Sequence, residues 1–344
     1  MYKNNMNKYL YIEICRFVAA IIILCHHSYI LEDRQYFFGG WVFVEFFFII
    51  TGFYTAAHFD KHLENNNICL DSIEYVLKKA NRIIPFAWVG IFLGFIYYLI
   101  ENQGSNQIIT GIISIPYNLL LLKGFSIASH SVNFNPPLWF VSYIVFVLPA
   151  IIVLMKKSSG VYKYVICWLV PLLFCSIEME KVGKIAIWEG GILQLMRGTS
   201  ALMLGTVIYY LAPYIRNKWV YTKSKLVVCK ILSIILFVII AGISVFSRGG
   251  MVEHSAEFLC ITFITLLLTF VNTDSYINNR VYNKVATHLG MLSLPIYCIH
   301  YPVEQIVQYI LPELSYGIKL SIVIIVSLLL AECLMKIIYS LKKQ

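Results

Sequence analysis

The long apolar runs of this chain constrain its fold more than any other feature, because they recur along its whole length. A helix that crosses a bilayer needs about 20 consecutive apolar residues. Hydrophobic residues make up 59% of the 344 residues and charged residues only 13%, against about 25% charged in a soluble domain. The chain is therefore predicted to be an all-α, polytopic membrane bundle that forms a single domain over residues 1–344.

About ten spans are predicted, and the basic residues orient them. Most of the 27 Lys and Arg residues lie in segments that face the cytoplasm if the N-terminus is inside, as the positive-inside rule requires. We expect both termini inside, and basic loops that contact anionic membrane lipids rather than nucleic acid. The predicted spans are residues 9–30, 41–58, 83–100, 138–155, 161–176, 190–212, 226–246, 256–272, 285–310 and 317–338.

Two segments between the spans have their own patterns. Residues 58–82 are polar and then amphipathic from about Asp71, which with Glu74 resembles a capping box and predicts a helix on the inner surface. Residues 101–137 are too long for an ordinary loop. Their apolar stretch contains Gly111 and Pro116, which favours an interfacial or re-entrant element on the outer side.

The first span carries charged residues where they are costly. A charge near the centre of a membrane helix costs about 2.5–3.5 kcal/mol on insertion scales. Arg16 and His27 are eleven residues apart, so they share a helix face and lie roughly 16 Å apart; Glu13 is placed to reach Arg16. One interpretation is a site that extends through the membrane. The other is that Arg16 snorkels inward while His26 and His27 are wet interfacial groups.

The second span and the segment before the third offer further candidates. Glu45 lies about one turn inside the second span, close to the predicted depth of His27, and a carboxylate beside an imidazole makes a better base. The alternative is a carboxylate at the interface. Lys78, Lys79 and Arg82 lie at an inner helix end, where they can hold phosphates or simply anchor the helix. Gly39, Gly40 and Gly52 indicate close helix contacts.

The later spans contain isolated polar groups. Tyr297 and His300 share a helix face, and His300 in mid-span is expected to point into the bundle, either as part of a site or as a structural hydrogen bond. Arg197 is a second buried guanidinium that needs a partner. Trp139 and Trp188 have the pattern of interface aromatics. The nine cysteines form no CxxC pair, so we expect no metal site.

In this order the motifs resemble the membrane acyltransferase-3 family. Glu13, Arg16 and His27 match the carboxylate, Arg and His of its first span, with His26 preceding. The stretch VEFFFIITGF resembles the second-span motif, with Glu45 at the Asp position and Thr51 at the Ser position. Lys79-Ala-Asn-Arg82 keeps the spacing of an Arg-x-x-Arg pair with Lys at the first place. The stretches PLWF (137–140) and LSLPIYCIHYP (292–302) match later landmarks.

The resemblance implies transfer of an acyl group, usually acetyl from acetyl-CoA, to a hydroxyl of a glycan or lipid-linked saccharide, in a multi-pass protein of the plasma membrane. In the mechanism expected here, Lys79 and Arg82, with Lys78, hold the phosphates of the acyl-CoA. Arg16 steers the thioester or stabilises its carbonyl. His27, oriented by Glu45, removes the acceptor proton or carries the acyl group. Supporting roles are expected for Glu13, His26, Trp139, Arg197, Tyr297 and His300.

Two other functions fit the same pattern of polar residues. A transporter or flippase for a lipid-linked glycan would also need polar groups inside its spans, but it gives no reason for basic residues at the inner end of the third span. A structural or sensory membrane protein would not depend on His27 for any acyl transfer.

Overall fold

The protein is an all-α bundle. The computed structural model describes residues 10–32, 34, 36–60, 67–125, 131–185, 191–247, 252–272 and 280–341. It is 87% helical, with no strand in these ranges, which confirms the predicted fold class. The α-helices are α1 Leu10–His27, α2 Val42–Asp60, α3 Ile68–Glu101, α4 Gln107–Leu119, α5 Trp139–Phe146, α6 Leu148–Lys157, α7 Ser159–Val161, α8 Cys167–Val182, α9 Gly191–Lys218, α10 Lys223–Phe246, α11 Ser255–Val271, α12 Arg280–Ile310 and α13 Tyr316–Leu341.

Short irregular helices join several of these elements. Pro136–Leu138 is a 3₁₀ turn that leads into α5, and the chain from Pro136 to Lys157 is apolar enough to form one span. Tyr162–Ile166 forms a π turn between α7 and α8, and π turns are rare in proteins. The remaining 3₁₀ turns are Ser28–Leu31 and Leu122–Phe125.

Eight helical segments within the described ranges are long and apolar enough to cross a membrane. The other two predicted spans fall on α11, which is shorter, and on α12, which carries Lys284, His288, His300 and Glu304. The count of ten and the orientation stay predictions. Below, "inner" and "outer" follow the predicted orientation, with the start of α1 inside.

Helix α3 corrects the prediction of a separate surface helix. It is continuous over 34 residues from Ile68 and passes through Pro85 without a break. Its N-cap is Asn67, whose side chain accepts a hydrogen bond from the backbone N–H of Leu70 at 3.4 Å, rather than Asp71. An Asn preceding the first turn satisfies one of the free N–H groups at a helix start, so the amphipathic segment and the third span form one element.

Helix α4 runs back along the outer half of α3. Tyr98 donates a hydrogen bond to the carbonyl of Gln107 at the start of α4 (2.9 Å), and Trp88 donates one to the carbonyl of Leu119 at its end (3.2 Å). The ten residues between the two contacts on α3 span roughly 15 Å. Helix α4 therefore folds back along α3 over that distance, and the choice between an interfacial and a re-entrant element stays a prediction.

The described residues 131–135, which precede the 3₁₀ turn before α5, are non-helical, and α4 supplies hydrogen-bond partners for part of their backbone. Ser114 accepts from the N–H of Val132 at 2.8 Å, and Asn118 bonds to both the carbonyl of Val132 (2.9 Å) and the N–H of Phe134 (3.1 Å). Irregular backbone within a membrane protein is tolerated only when such partners are present. Gly94 leaves room for the Phe134 carbonyl, which a Cβ there would overlap.

Two pairs of helices form the centre of the bundle: α1 with α12, and α2 with α9. The α2–α9 crossing is close because Gly52 and Gly205 face it. A Cβ on Gly52 would overlap the carbonyl of Leu202, and one on Gly205 would overlap that of Ile49. The close contact predicted for Gly52 is thus present, and it brings the polar groups on the two helices within reach of each other.

Candidate functional site

The inner part of the site begins with the ion pair of Glu13 and Arg16 on α1. Arg16 Nη1 donates to Glu13 Oε2 at 3.0 Å, as the three-residue spacing predicts. The Glu13 carboxylate lies against Gly290 of α12, where a Cβ would overlap Oε2. Glycine at this position therefore lets α12 approach α1 closely. The Arg16 side chain keeps 28% of its surface exposed, so the pair with Glu13 does not bury it completely.

A second group of cations comes from α3. Lys79 lies close enough to Arg16 and Arg82 for their charges to interact, and its Nζ lies 5.2 Å from the centroid of the Tyr75 ring. No carboxylate among the described residues lies within ion-pair distance of Lys79 or Arg82. We call Arg16, Lys79 and Arg82 the inner cluster. Its net positive charge suits an anionic ligand such as a phosphate.

Lys78 differs from its neighbour. Its side chain is 72% exposed and pairs with Glu74 one turn earlier, at 3.2 Å. A residue one position away on a helix is turned by about 100°, so Lys78 lies on the exposed face of α3 while Lys79 faces Arg16. The structure thus separates two lysines that the sequence pattern had grouped together.

The outer part of the site is a pair of imidazoles, His27 on α1 and His300 on α12. His27 Nδ1 and His300 Nε2 are 3.1 Å apart, and the ring centroids are 5.0 Å apart. Helices α1 and α12 are parallel, since Glu13 meets Gly290 at one end and His27 meets His300 at the other. The prediction that His300 points into the bundle is correct.

The backbone carbonyls around the two rings indicate which ring nitrogens carry a hydrogen. His300 Nδ1 faces the carbonyls of Tyr297 (2.9 Å) and Ile296 (3.3 Å); a carbonyl only accepts, so this nitrogen carries the hydrogen. The Nε2 of a neutral His300 is then an acceptor for His27. His27 Nδ1 also faces the carbonyl of Ile23 at 3.0 Å and must be protonated. His27 Nε2 is left as the unprotonated nitrogen, which is the atom a general base uses.

His26 holds the chain that follows α1. Its Nδ1 lies 2.9 Å from the carbonyl of Phe37, and its Cβ lies where a side chain on Gly40 would clash. The carbonyl of His26 accepts a hydrogen bond from Arg34. His26 therefore packs the loop between α1 and α2 against the outer end of α1, next to His27, and Gly40 is needed for that approach.

Glu45 does not pair with His27, and this prediction is wrong. Its Oε1 accepts a hydrogen bond from Nε of Arg197 on α9, and both side chains are almost completely buried. A buried guanidinium attracts the carboxylate that the α2–α9 crossing places beside it, since an unpaired charge there would be costly. The orienting partner of His27 is His300 instead.

Trp139 packs against Arg197 of the Glu45–Arg197 pair, and its place among the interface aromatics stays a prediction. The Arg197 guanidinium lies 5.0 Å from the centroid of the Trp139 ring, and the ring also packs against Phe48 and Tyr143. A cation over an indole face is favourable, most of all away from water. Trp188 lies outside the described residues.

The loop before α5 is hydrogen-bonded to α12 beside the imidazole pair, through two contacts. Tyr297 donates a hydrogen bond to the carbonyl of Pro137, and Asn135 Nδ2 donates to the carbonyl of Cys298 at 2.7 Å. Gly90 of α3 lies under the same contact, where a Cβ would overlap the Cys298 carbonyl. The Tyr297 hydroxyl is thus a structural donor that fixes the α12 backbone from which His300 extends.

Two buried carboxylates were not singled out from the sequence. Glu304 of α12 and Glu178 of α8 have no exposed surface, and no described group donates a hydrogen bond to them. Glu178 interacts electrostatically with Arg197. Glu304 follows His300 by four residues, a spacing that places both on one face and that could have been read from the sequence.

Comparison with known proteins gives a match to a protein family. The family model described as "Acyltransferase domain" matches residues 9–335. A search of curated proteins and a search of solved structures find no significant match. The matched segment contains every residue of the inner cluster, the imidazole pair and the Glu45–Arg197 pair.

Proposed function

Because the chain belongs to the acyltransferase-3 family of membrane acyltransferases, we propose that it transfers an acyl group, acetyl in the first instance, from cytoplasmic acyl-CoA to a hydroxyl. The acceptor we propose is a glycan or a precursor of a surface polysaccharide, and the location is the plasma membrane. The observation that carries the proposal is that a cationic cluster from α1 and α3 and an imidazole base between α1 and α12 lie at two levels along α1.

The inner cluster suits the donor. Three cations with a single carboxylate partner among them offer strong donors to phosphate oxygens, and CoA carries its phosphates at the end opposite to the thioester. Arg16 and His27 lie roughly 16 Å apart along α1. The extended pantetheine arm of CoA is long enough to join the two levels, so its phosphates would stay at the inner mouth while its thioester reaches His27.

The imidazole pair of His27 and His300 suits the chemistry of acyl transfer. His27 Nε2 accepts the proton of the acceptor hydroxyl while the hydroxyl oxygen attacks the thioester carbonyl. The carbon–sulfur bond then breaks, and the CoA sulfur takes the proton from His27. As His27 becomes charged, its Nδ1–H makes a stronger hydrogen bond to His300 Nε2, which stabilises the charged form.

The direct test is transfer of label from radioactive acetyl-CoA in membranes that contain the protein and its native acceptor. The wild type should place the label in an alkali-labile ester, and His27→Ala should lower the rate by about 10²–10⁴-fold. His254→Ala is the matched control, because His254 is exposed at the start of α11. If the wild type moves glycan but transfers no label, the protein is an exporter and the proposal is wrong.

The two adjacent lysines test the donor site. Lys79→Ala should raise the KM for acetyl-CoA about tenfold, since a hydrogen bond to a charged group contributes about 1.5 kcal/mol or more. Lys78→Ala removes the same charge from an exposed position and should change the KM by less than about twofold. Equal effects of the two substitutions would mean that the lysines act only through the general positive charge of the inner surface.

A further inference from the structure

A cavity of about 410 Å³ lies between the end of α2, the short helix α7 with the π turn after it, and the last turns of α9. This volume is within the range of small-molecule sites. The cavity is accessible, since Asp60 is exposed and Tyr164 keeps 73% of its surface exposed. None of the residues that the mechanism above uses lines it. The lining residues are Asp60, Ser159, Gly160, Lys163, Tyr164, Tyr209, Tyr210 and Pro213.

Two opposite charges line the cavity together with three tyrosines. Asp60 Oδ2 accepts a hydrogen bond from the Tyr209 hydroxyl at 2.7 Å. The ring centroids of Tyr209 and Tyr210 are 5.4 Å apart, and Lys163 Nζ lies 5.5 Å from the centroid of Tyr210. The same Nζ lies 5.2 Å from the centroid of Tyr164. The carboxylate and the ammonium group are therefore connected through adjacent tyrosines and do not form an ion pair with each other.

The backbone that carries Lys163 has an unusual form. Residues Tyr162–Ile166 form a π turn, and π turns occur frequently at functional sites. The hydroxyls of Tyr162 and Thr206 share a hydrogen bond of 2.9 Å, which anchors the turn on α9. The Lys163 carbonyl accepts a hydrogen bond from Trp168 Nε1 at 3.2 Å. The lysine is thus held beside α9 by contacts that leave its ammonium group out.

The level of the cavity indicates which ligands reach it. Every lining residue lies within three residues of an end of a predicted span, these ends being residues 58, 161 and 212. All three ends are inner ends in the predicted orientation. Residues at the end of a span lie where the hydrocarbon meets the polar headgroups. The headgroup of a phospholipid in the inner leaflet can therefore enter the cavity without leaving the bilayer.

We propose that this cavity binds the headgroup of a zwitterionic phospholipid with a primary amine, of the phosphatidylethanolamine class. Lys163 donates to the phosphate and Asp60 accepts from the ammonium group, both as charge-assisted hydrogen bonds. The tyrosine faces add a favourable surface for the ammonium group. A headgroup with a phosphate and no amine would leave Asp60 beside a like charge. Lys156 also interacts electrostatically with Asp60, but it does not line the cavity.

The first test compares headgroups on the wild type. The full-length protein is purified in detergent, and its binding of added lipids with identical acyl chains is measured by native mass spectrometry. Phosphatidylethanolamine should bind at least about tenfold more tightly than phosphatidylglycerol, which lacks the amine, and than phosphatidylcholine, whose quaternary amine cannot donate to Asp60. Binding of either of these two lipids as tightly as phosphatidylethanolamine would overturn the proposal.

Substitutions locate the binding in the cavity. Lys163→Ala and Asp60→Asn should each weaken binding of phosphatidylethanolamine about tenfold. Gly160→Leu should abolish it, because a Cβ on Gly160 meets no atom within 4 Å and the longer side chain enters open space. Lys218→Ala is the matched control: Lys218 Nζ lies 5.0 Å from the Tyr214 centroid at the same end of α9, outside the cavity.

The control should bind as the wild type does, and thermal unfolding in detergent checks that each variant is folded. If the three cavity variants keep the wild-type affinity, the lipid binds elsewhere and the assignment is wrong.

A last measurement separates this cavity from the acyl-donor site. Acetyl-CoA should not displace phosphatidylethanolamine from the wild type. The KM for acetyl-CoA is then measured with the glycan fraction extracted from membranes of the source cells as the acceptor, and it should be the same in Lys163→Ala as in the wild type. Displacement of the lipid, or a raised KM in this variant, would show that the cavity holds the donor and would refute the lipid assignment.

Discussion

Substitution of His300 by Phe tests whether His300 serves the His27 base. Phe keeps a planar ring against α1, where the two rings are 5.0 Å apart, but removes the Nε2 acceptor that lies 3.1 Å from His27 Nδ1. The Ile23 carbonyl at 3.0 Å remains. The tautomer of His27 is therefore preserved, and only the stabilisation of its charged form is lost.

The size of the effect follows from that single bond. A hydrogen bond to a charged group contributes about 1.5–3 kcal/mol, and each 1.36 kcal/mol changes a rate by about tenfold. His300→Phe should therefore lower kcat by about 10- to 150-fold. The KM for acetyl-CoA should stay unchanged, because the inner cluster lies roughly 16 Å away along α1. The assay is steady-state label transfer, with acetyl-CoA varied at a saturating level of the glycan fraction.

A double-mutant cycle tests whether His300 acts only through His27. If His300 acts only through His27, the variant with both His27→Ala and His300→Phe should be no slower than His27→Ala alone, since residues that act as a unit give non-additive losses. Losses that multiply would show that His300 has an independent role. A His300→Phe variant with the wild-type kcat would disprove the relay and leave His300 as a packing residue.

Two further substitutions test the supports of the site. Arg197→Gln leaves the buried Glu45 carboxylate without its cation and should destabilise the protein by about 3–5 kcal/mol, and Glu45→Gln added to it should restore much of the thermal stability measured in detergent. Gly290→Ala places a Cβ on the Glu13 carboxylate and should raise the KM for acetyl-CoA several-fold by moving the inner ion pair. Gly242→Ala, which meets no atom within 4 Å, should leave the same kinetics unchanged.

The parts of the structure that depend on local periodicity could be predicted from the sequence. Apolar runs located the helices, because length and hydropathy alone decide whether a segment can cross a bilayer. The Glu13–Arg16 pair followed from a spacing of three residues on one helix. Gly111 and Pro116 did not indicate where the helix after α3 ends, because α4 runs through both of them from Gln107 to Leu119.

Contacts between distant helices could not be predicted in this way. Glu45 and Arg197 are 152 residues apart, and the local periodicity of a sequence does not indicate that α2 crosses α9. Similar predicted depth suggested His27 as the partner of Glu45, whereas the energetics of a buried guanidinium favoured Arg197. The sequence indicated correctly that a buried Arg197 needs a partner. It did not indicate that this partner is the Glu45 carboxylate.

The parallel packing of α1 on α12 links these observations to the proposed reaction. Both helices contribute to each level: Glu13 and Gly290 at the inner end, His27 and His300 at the outer end. A shift of one helix along the other would therefore disturb donor and acceptor groups at the same time. In the predicted orientation the phosphates of acyl-CoA need not cross the membrane, because only the narrow pantetheine arm has to enter the bundle. A hydroxyl on the far side could then be acylated by a donor made in the cytoplasm, without transport of the donor itself.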